Sequence, residues 1–207
     1  MIGFVKLLGL LLGAALLAGC ENNPQPYATD AQLAAVRYVS DEPPSITLIT
    51  MVNNQTGAGG HSSLLINASE QIMYDPAGNF YLEGLPERND VLFGMSPRVV
   101  QAYRSSQART AFHVWSQTIE VTPEVAEIAY RAALAQGKAA PAFCANANSQ
   151  LLQKIPGFES INTTFFPENL AEQFEKLPGA VQDRYYEYDD VTYAEALAAT
   201  NAALETQ

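Results

Sequence analysis

Cysteine and histidine are scarce in this chain of 207 residues. It has two of each, one tryptophan, and only 11 lysines and arginines against 22 aspartates and glutamates. Each shortage excludes something. Two histidines and two cysteines, none at ligand spacing, give no zinc-type metal site. A formal charge of −11 without a basic patch cannot neutralise phosphates, which argues against nucleic acid as a partner. Gly57-Ala58-Gly59-Gly60 lacks the lysine and following helix of a nucleotide-phosphate loop, and no cofactor is implied. No internal repeat is evident, and only one long uncharged apolar run stands in the sequence, close to its start.

That run is Leu7 to Ala18, preceded by Lys6 and followed by Gly19-Cys20. A charged start, an apolar middle and small residues at the cut make residues 1–19 a secretory signal. About a dozen residues span roughly 18 Å as a helix, short of the bilayer core of about 30 Å. Leu17-Ala18-Gly19-Cys20 resembles the lipobox of bacterial lipoproteins. The resemblance implies cleavage before Cys20 and acyl chains, of the palmitate type, on its thiol. The membrane partner would then be reached through lipid on Cys20, at about 0.8 kcal/mol per buried methylene. An ordinary secretory signal with a chance cysteine is the alternative. Glu21, where an aspartate would signal retention, implies sorting to the periplasmic face of the outer membrane, in the cell envelope. Lipid on Cys20 would leave Cys144 without an intramolecular partner. In an oxidising compartment a lone thiol is either buried and inert or kept for reactivity.

The rest divides by composition. Residues 20–44 are rich in Asn and Pro and predict a flexible tether, with room for a short helix over 30–38. Ser45 to Asn53 predicts a buried strand, 61–67 a second and 71–75 a third, together an antiparallel meander. Residues 86–89 predict a loop and 90–95 a short strand. Ser96-Pro97 opens a helix to about 105, 109–121 is a long strand, and Thr122-Pro123-Glu124 starts a helix that Gly137 stops. Helices follow over 143–155 and 167–177. Residues 181–207 form an acidic, aromatic stretch and a terminal helix, with Tyr185, Tyr186 and Tyr188 as a packed edge or surface strip. Strands come first and helices later, so the class is α+β: an antiparallel sheet with helices on one side, and a principal domain over 45–180.

Within the helix after Pro141, Cys144, Ala147, Leu151, Leu152 and Ile155 share one face. Cys144 therefore lies in the first turn on the inward side. The N-terminal end of a helix carries about half a positive charge and free N–H groups, which favour a thiolate and can hold an oxyanion. A base is needed, and only His61 and His113 exist. His61 follows four small residues at a strand mouth, where glycines admit a substrate or another backbone. His113 is mid-strand and reads as packed or surface. Cys144 as an inert core thiol, and His61 as a satisfied strand-end histidine, remain open at this point.

Gly60-His61-Ser62-Ser63-Leu64-Leu65-Ile66, followed by Met73-Tyr74-Asp75-Pro76-Ala77-Gly78, resembles the histidine strand and next strand of circularly permuted papain-like (NlpC-type) proteins. Phe143-Cys144-Ala145-Asn146 with Ser149-Gln150-Leu151-Leu152 is similar to their cysteine helix. The resemblance spans about residues 45–165. It implies a permuted papain-like fold with Cys144 as nucleophile and His61 as base. For the orienting third group the choice is Asp75, since a carboxylate fixes an imidazole tautomer; a plain turn residue before Pro76 is the alternative. Asn67, about 20 Å along the strand from His61, is too far. Asn146 and Asn148 flank the cysteine and could serve an oxyanion or cap the helix. The expected activity is a lipid-anchored envelope hydrolase (peptidase or amidase) or acyltransferase, acting on a peptidoglycan peptide or an acyl substrate. The competing expectations are a binding module without catalysis, and an assembly lipoprotein using its acidic C-terminal region.

Overall fold

The computed structural model describes residues 27–205. The signal segment and Cys20 lie outside the described residues. Seven strands form one antiparallel sheet: β1 (Ser45–Asn53), β2 (Gly59–Asn67), β3 (Gln71–Tyr74), β4 (Glu87–Arg88), β5 (Val91–Leu92), β6 (Phe112–Glu120) and β7 (Val181–Tyr186). Their spatial order is β4-β5-β3-β2-β1-β6-β7. Six helices accompany them among the described residues: α1 (Asp30–Val36), α2 (Pro97–Gln107), α3 (Pro123–Gln136), α4 (Cys144–Leu152), α5 (Pro167–Glu175) and α6 (Tyr193–Glu205). The α+β class follows. Among the described residues no helix is long and apolar enough to cross a membrane.

Strand alternation sorts the core into two layers. Ile46, Leu48 and Val52 of β1, Leu64 and Ile66 of β2, and Ile72 and Tyr74 of β3 face α3, α4 and α5, where Ala129, Leu151, Leu152, Leu170 and Phe174 close the layer. Ile49, Met73 and Val114 point the other way and meet Phe80, Leu82, Ala102 and Tyr103. The expectation of helices on one side is thus corrected: α2 covers the second face. Apolar residues on both faces of β1 require this, since an uncovered face would leave Ile49 and Val114 in water at about 1.5–3 kcal/mol each.

Residues 27–44, read as tether, are fastened to the sheet. Arg88 donates to the Ala28 carbonyl, Arg37 to that of Ser69, and Asn67 to those of Glu42 and Pro43. A capping box at Thr29 and Gln32 starts α1. At the other end, Val181–Tyr186 is a full partner of β6 from His113↔Tyr186 to Thr118↔Val181, so the sheet runs past residue 180. Residues 87 and 88, expected as loop, pair with β5.

β1 and β2 pair in register from Ser45↔Asn67 to Met51↔His61, and then the register shifts so that Val52 meets Gly59. Gly60 is the extra residue of a bulge immediately before His61, and bulges re-aim the neighbouring side chain. At Gly59 a Cβ would lie 2.5 Å from the Glu168 nitrogen and 2.6 Å from Pro167, so only glycine lets the head of α5 press on the strand. The glycines before His61 admit another backbone, that of α5.

Candidate active site

Cys144 opens α4 with its side chain 6% exposed. Ala142, two residues earlier, holds φ at +67°, a left-handed conformation that turns the chain sharply into the helix. The cap residue Phe143 contributes no side-chain bond to the first turn. Asn148, one turn on, is fully buried and donates to the Ser62 carbonyl at 2.9 Å and to its hydroxyl at 3.2 Å. That bond ties the cysteine helix to the strand residue beside His61.

The fold brings Cys144, His61 and Asp75 together. The thiol and the His61 imidazole are neighbours, each acting on the other's ionisation. His61 Nε2 lies 2.6 Å from Asp75 Oδ1, with the two side chains 16% and 5% exposed. A carboxylate oxygen accepts, so Nε2 carries the proton and Nδ1 is the nitrogen left for the sulfur. Asp75 is therefore a buried partner of the imidazole, and the alternative of a plain turn residue before Pro76 does not describe it.

The electrostatics follow. Burial alone pushes the His61 imidazole down, but the Asp75 charge and hydrogen bond, with the thiol's contribution added, raise it to about 10. Burial pushes the Cys144 thiol up; the hydrogen bond and charge of His61, with the backbone N–H groups of Ser62 and Ala145, outweigh it and hold the thiol below its ordinary value. Both shifts favour the thiolate–imidazolium form of the pair over the thiol–imidazole form.

Several contributors had no local sequence signal. Tyr103 Oη donates to Asp75 Oδ1 at 2.7 Å. Asp90 Oδ2 accepts from the Ala77 N–H at 3.0 Å and the Ala139 N–H at 2.9 Å, joining the turn after Asp75 to the segment that leads into α4. Beside them Glu87 is pushed up to about 7 by burial and by the charges of Asp90 and Asp75. Ala77, Asn89, Asp90 and Ala142 are the non-glycine residues with positive φ among the described residues. All four lie in the loops around this cluster, where strain of about 1–3 kcal/mol per residue is held by surrounding bonds.

The remaining candidates lie elsewhere or act differently. His113 is buried, with Nδ1 2.7 Å from Asn54 Oδ1, a bond from Arg184 to Nε2 and Tyr186 stacked at 4.7 Å. Burial and the Arg184 charge hold its pKa down, so it is a neutral packing residue. Asn67 fastens residues 42 and 43 and does not approach His61. Asn148 serves strand attachment, while Asn146 accepts from Gln150 at 3.0 Å on the helix exterior. Among the described residues no cluster of histidine, cysteine and carboxylate could hold a metal.

Two hollows flank the cluster. One of about 520 Å³ is walled by His61, Met51, Asn79, Gln107 and Phe112. A smaller one of about 230 Å³ lies at the head of α4, against Tyr74, Lys138, Phe143 and Asn146. A cleft of about 470 Å³ beneath α1, against Tyr27, Phe80 and Leu85, contains neither histidine nor cysteine and carries no comparable chemistry. No protein-family model matches the chain, and no curated protein or solved structure is significantly similar to it.

Proposed function

We propose that the protein is a thiol hydrolase or acyltransferase that acts on an amide or ester carbonyl, with Cys144 as nucleophile, His61 as proton carrier and Asp75 as the group that orients the imidazole. The observation that carries this reading is the buried His61–Asp75 pair, Nε2 to Oδ1 at 2.6 Å, set beside the Cys144 thiol at the head of α4. A buried structural thiol has no need of a histidine raised to about 10 by a carboxylate.

The steps follow from the residues. The thiolate attacks the carbonyl carbon, a C–S bond forms, and the π pair moves to oxygen. First-turn N–H groups of α4, free of any side-chain cap, stabilise that charge. The tetrahedral species collapses, the bond to the leaving nitrogen or oxygen breaks, and the imidazolium supplies the proton it needs. Neutral His61 then takes a proton from water or an acceptor hydroxyl or amine, which attacks the thioester and restores the thiol. Asp75 keeps Nε2 protonated throughout, so that Nδ1 carries the exchanges.

The chain order, with the histidine strand before the cysteine helix, supports the permuted papain-like reading. A cell-envelope location, with Cys20 acylated and the domain at the periplasmic face of the outer membrane, is the companion proposal, supported by the lipobox-like segment Leu17-Ala18-Gly19-Cys20. A peptidoglycan peptide or an acyl group is the substrate class proposed.

Two experiments test these statements separately. Release of p-nitrophenol from p-nitrophenyl acetate is expected to fall at least 100-fold in Cys144→Ser; equal turnover in that variant would remove the catalytic reading. In detergent phase separation of the full chain made in a bacterium with an outer membrane, the protein is expected in the detergent phase and Cys20→Ala in the aqueous phase. Aqueous partition of the unaltered chain would refute the anchor and leave the chemistry untouched.

A further inference from the structure

We propose that Tyr103 is a positioning residue of this site, its hydroxyl fixing the Asp75 carboxylate so that the His61 ring presents its free nitrogen to the Cys144 sulfur. The inference rests on the reading of Cys144 and His61 as a reacting pair.

Tyr103 belongs to α2, on the face of the sheet opposite α4. It is fully buried, and Phe80 packs edge-on against its ring at 4.9 Å and 69°. Its Oη reaches Asp75 Oδ1 at 2.7 Å, the same oxygen that receives His61 Nε2 at 2.6 Å. Two donors on one oxygen use both of its lone pairs. The other oxygen, Oδ2, faces Gly78, where even a single added carbon would come within 1.9 Å. The carboxylate is therefore held on both sides, by a hydroxyl from α2 and by the backbone of its own turn. A carboxylate free to turn about its Cβ–Cγ bond would carry the imidazole with it, because Nε2 is bonded to that carboxylate at 2.6 Å. The hydroxyl thus links helices on opposite faces of the sheet through one relay: Tyr103, Asp75, His61, Cys144.

A tyrosine that merely fills the core would also find an acceptor for its hydroxyl. The two roles differ in what the thiol feels. In Tyr103→Phe the ring and its packing on Phe80 remain and the hydroxyl goes. The rate of Cys144 alkylation by iodoacetamide, followed against pH on the full chain, is the readout. We expect the pH of half-maximal rate to rise by about one unit and the rate at pH 6.5 to fall about 3- to 10-fold. Phe80→Leu, which loosens the ring but keeps the hydroxyl, is expected to lower Tm and leave the profile unchanged. A Tyr103→Phe profile superimposable on the unaltered chain, while His61→Ala shifts it, overturns the role of Tyr103 and leaves the reacting pair standing. Profiles unmoved by either substitution overturn both. The unaltered chain offers an independent measurement by proton NMR. A slowly exchanging Tyr103 hydroxyl proton is expected to shift when Cys144 is alkylated, and a resonance indifferent to alkylation counts against the relay.

Discussion

Replacing His61 by alanine is expected to slow iodoacetamide alkylation of Cys144 at pH 6.5 by at least ten-fold. The sign follows from opposing causes at the sulfur. Burial disfavours the thiolate, and the largest contributions against burial come from the His61 hydrogen bond and charge. In His61→Ala only the N–H groups of Ser62 and Ala145 remain to oppose it. The thiol must therefore rise toward or above its ordinary value near 9, where about 0.3% is ionised at pH 6.5. The profile of the unaltered chain should climb at lower pH than that of His61→Ala, where the depressed thiol ionises, and then level off. Amide turnover, whose leaving nitrogen must be protonated, has a second limb. His61 is raised to about 10, so the imidazolium that protonates the leaving group is lost as pH passes that value, and kcat should decline there while alkylation does not. Two limbs in turnover and one in alkylation would separate the proton carrier from the nucleophile. Alkylation identical in His61→Ala at every pH would mean that the imidazole does not activate the sulfur.

How much of this could be read in the sequence depends on the range of the forces involved. β1 was legible at its observed bounds, because residues apolar on both faces between Pro44 and Asn54 leave little choice. Cys144 at the head of a helix was legible from Pro141 and the spacing of Ala147, Leu151 and Leu152. The resemblance supplied the pairing with His61, and the fit of a carboxylate to an imidazole suggested Asp75; His61 and Asp75 are 14 residues apart and meet only because β2 and β3 are antiparallel. β7 was not legible: Val181–Tyr186 is exposed along nearly its whole length and joins β6 by backbone bonds, so it has no apolar alternation to detect. Helices on both faces were missed for a different reason. α2 is largely polar, with Arg98, Gln101, Arg104, Ser105 and Gln107 in its eleven residues, and the residues it covers, Ile49, Met73 and Val114, are single positions on strands whose other face dominates the pattern. The fastening of residues 27–44 rests on side chains of Arg88, Asn67 and Arg37 that are remote in sequence, and proline content alone suggested a loose chain. Tyr103 is one of ten tyrosines, and nothing adjacent to it distinguishes it. Its partner is 28 residues earlier, and the bond exists only once α2 lies on the sheet.

Gly78→Ala should be as damaging to the thiol as removal of Asp75 itself. An added Cβ would sit 1.9 Å from Asp75 Oδ2 and 2.3 Å from Cγ, well inside contact distance, so something must move. The turn has little freedom to do so. The Gly78 N–H donates to the Asp75 carbonyl at 3.0 Å, the Ala77 N–H is held by Asp90 at 3.0 Å, and Ala77 already stands at a φ of +57°. The carboxylate is the softer element, and its displacement breaks the bonds to His61 and Tyr103 together. The cost in stability should be about 1–3 kcal/mol, the usual range for an added methyl in a packed site. The loss of reactivity should be larger than that figure suggests, because His61 loses the charge that keeps it protonated against burial. Gly84→Ala is the comparison: it introduces a side chain at a φ of +76°, a strained backbone, but into open space, so its effect should be confined to Tm. Equal alkylation profiles for the two variants would show that Asp75 can shift without consequence for the sulfur. The imidazole would then owe its charge to something other than this carboxylate.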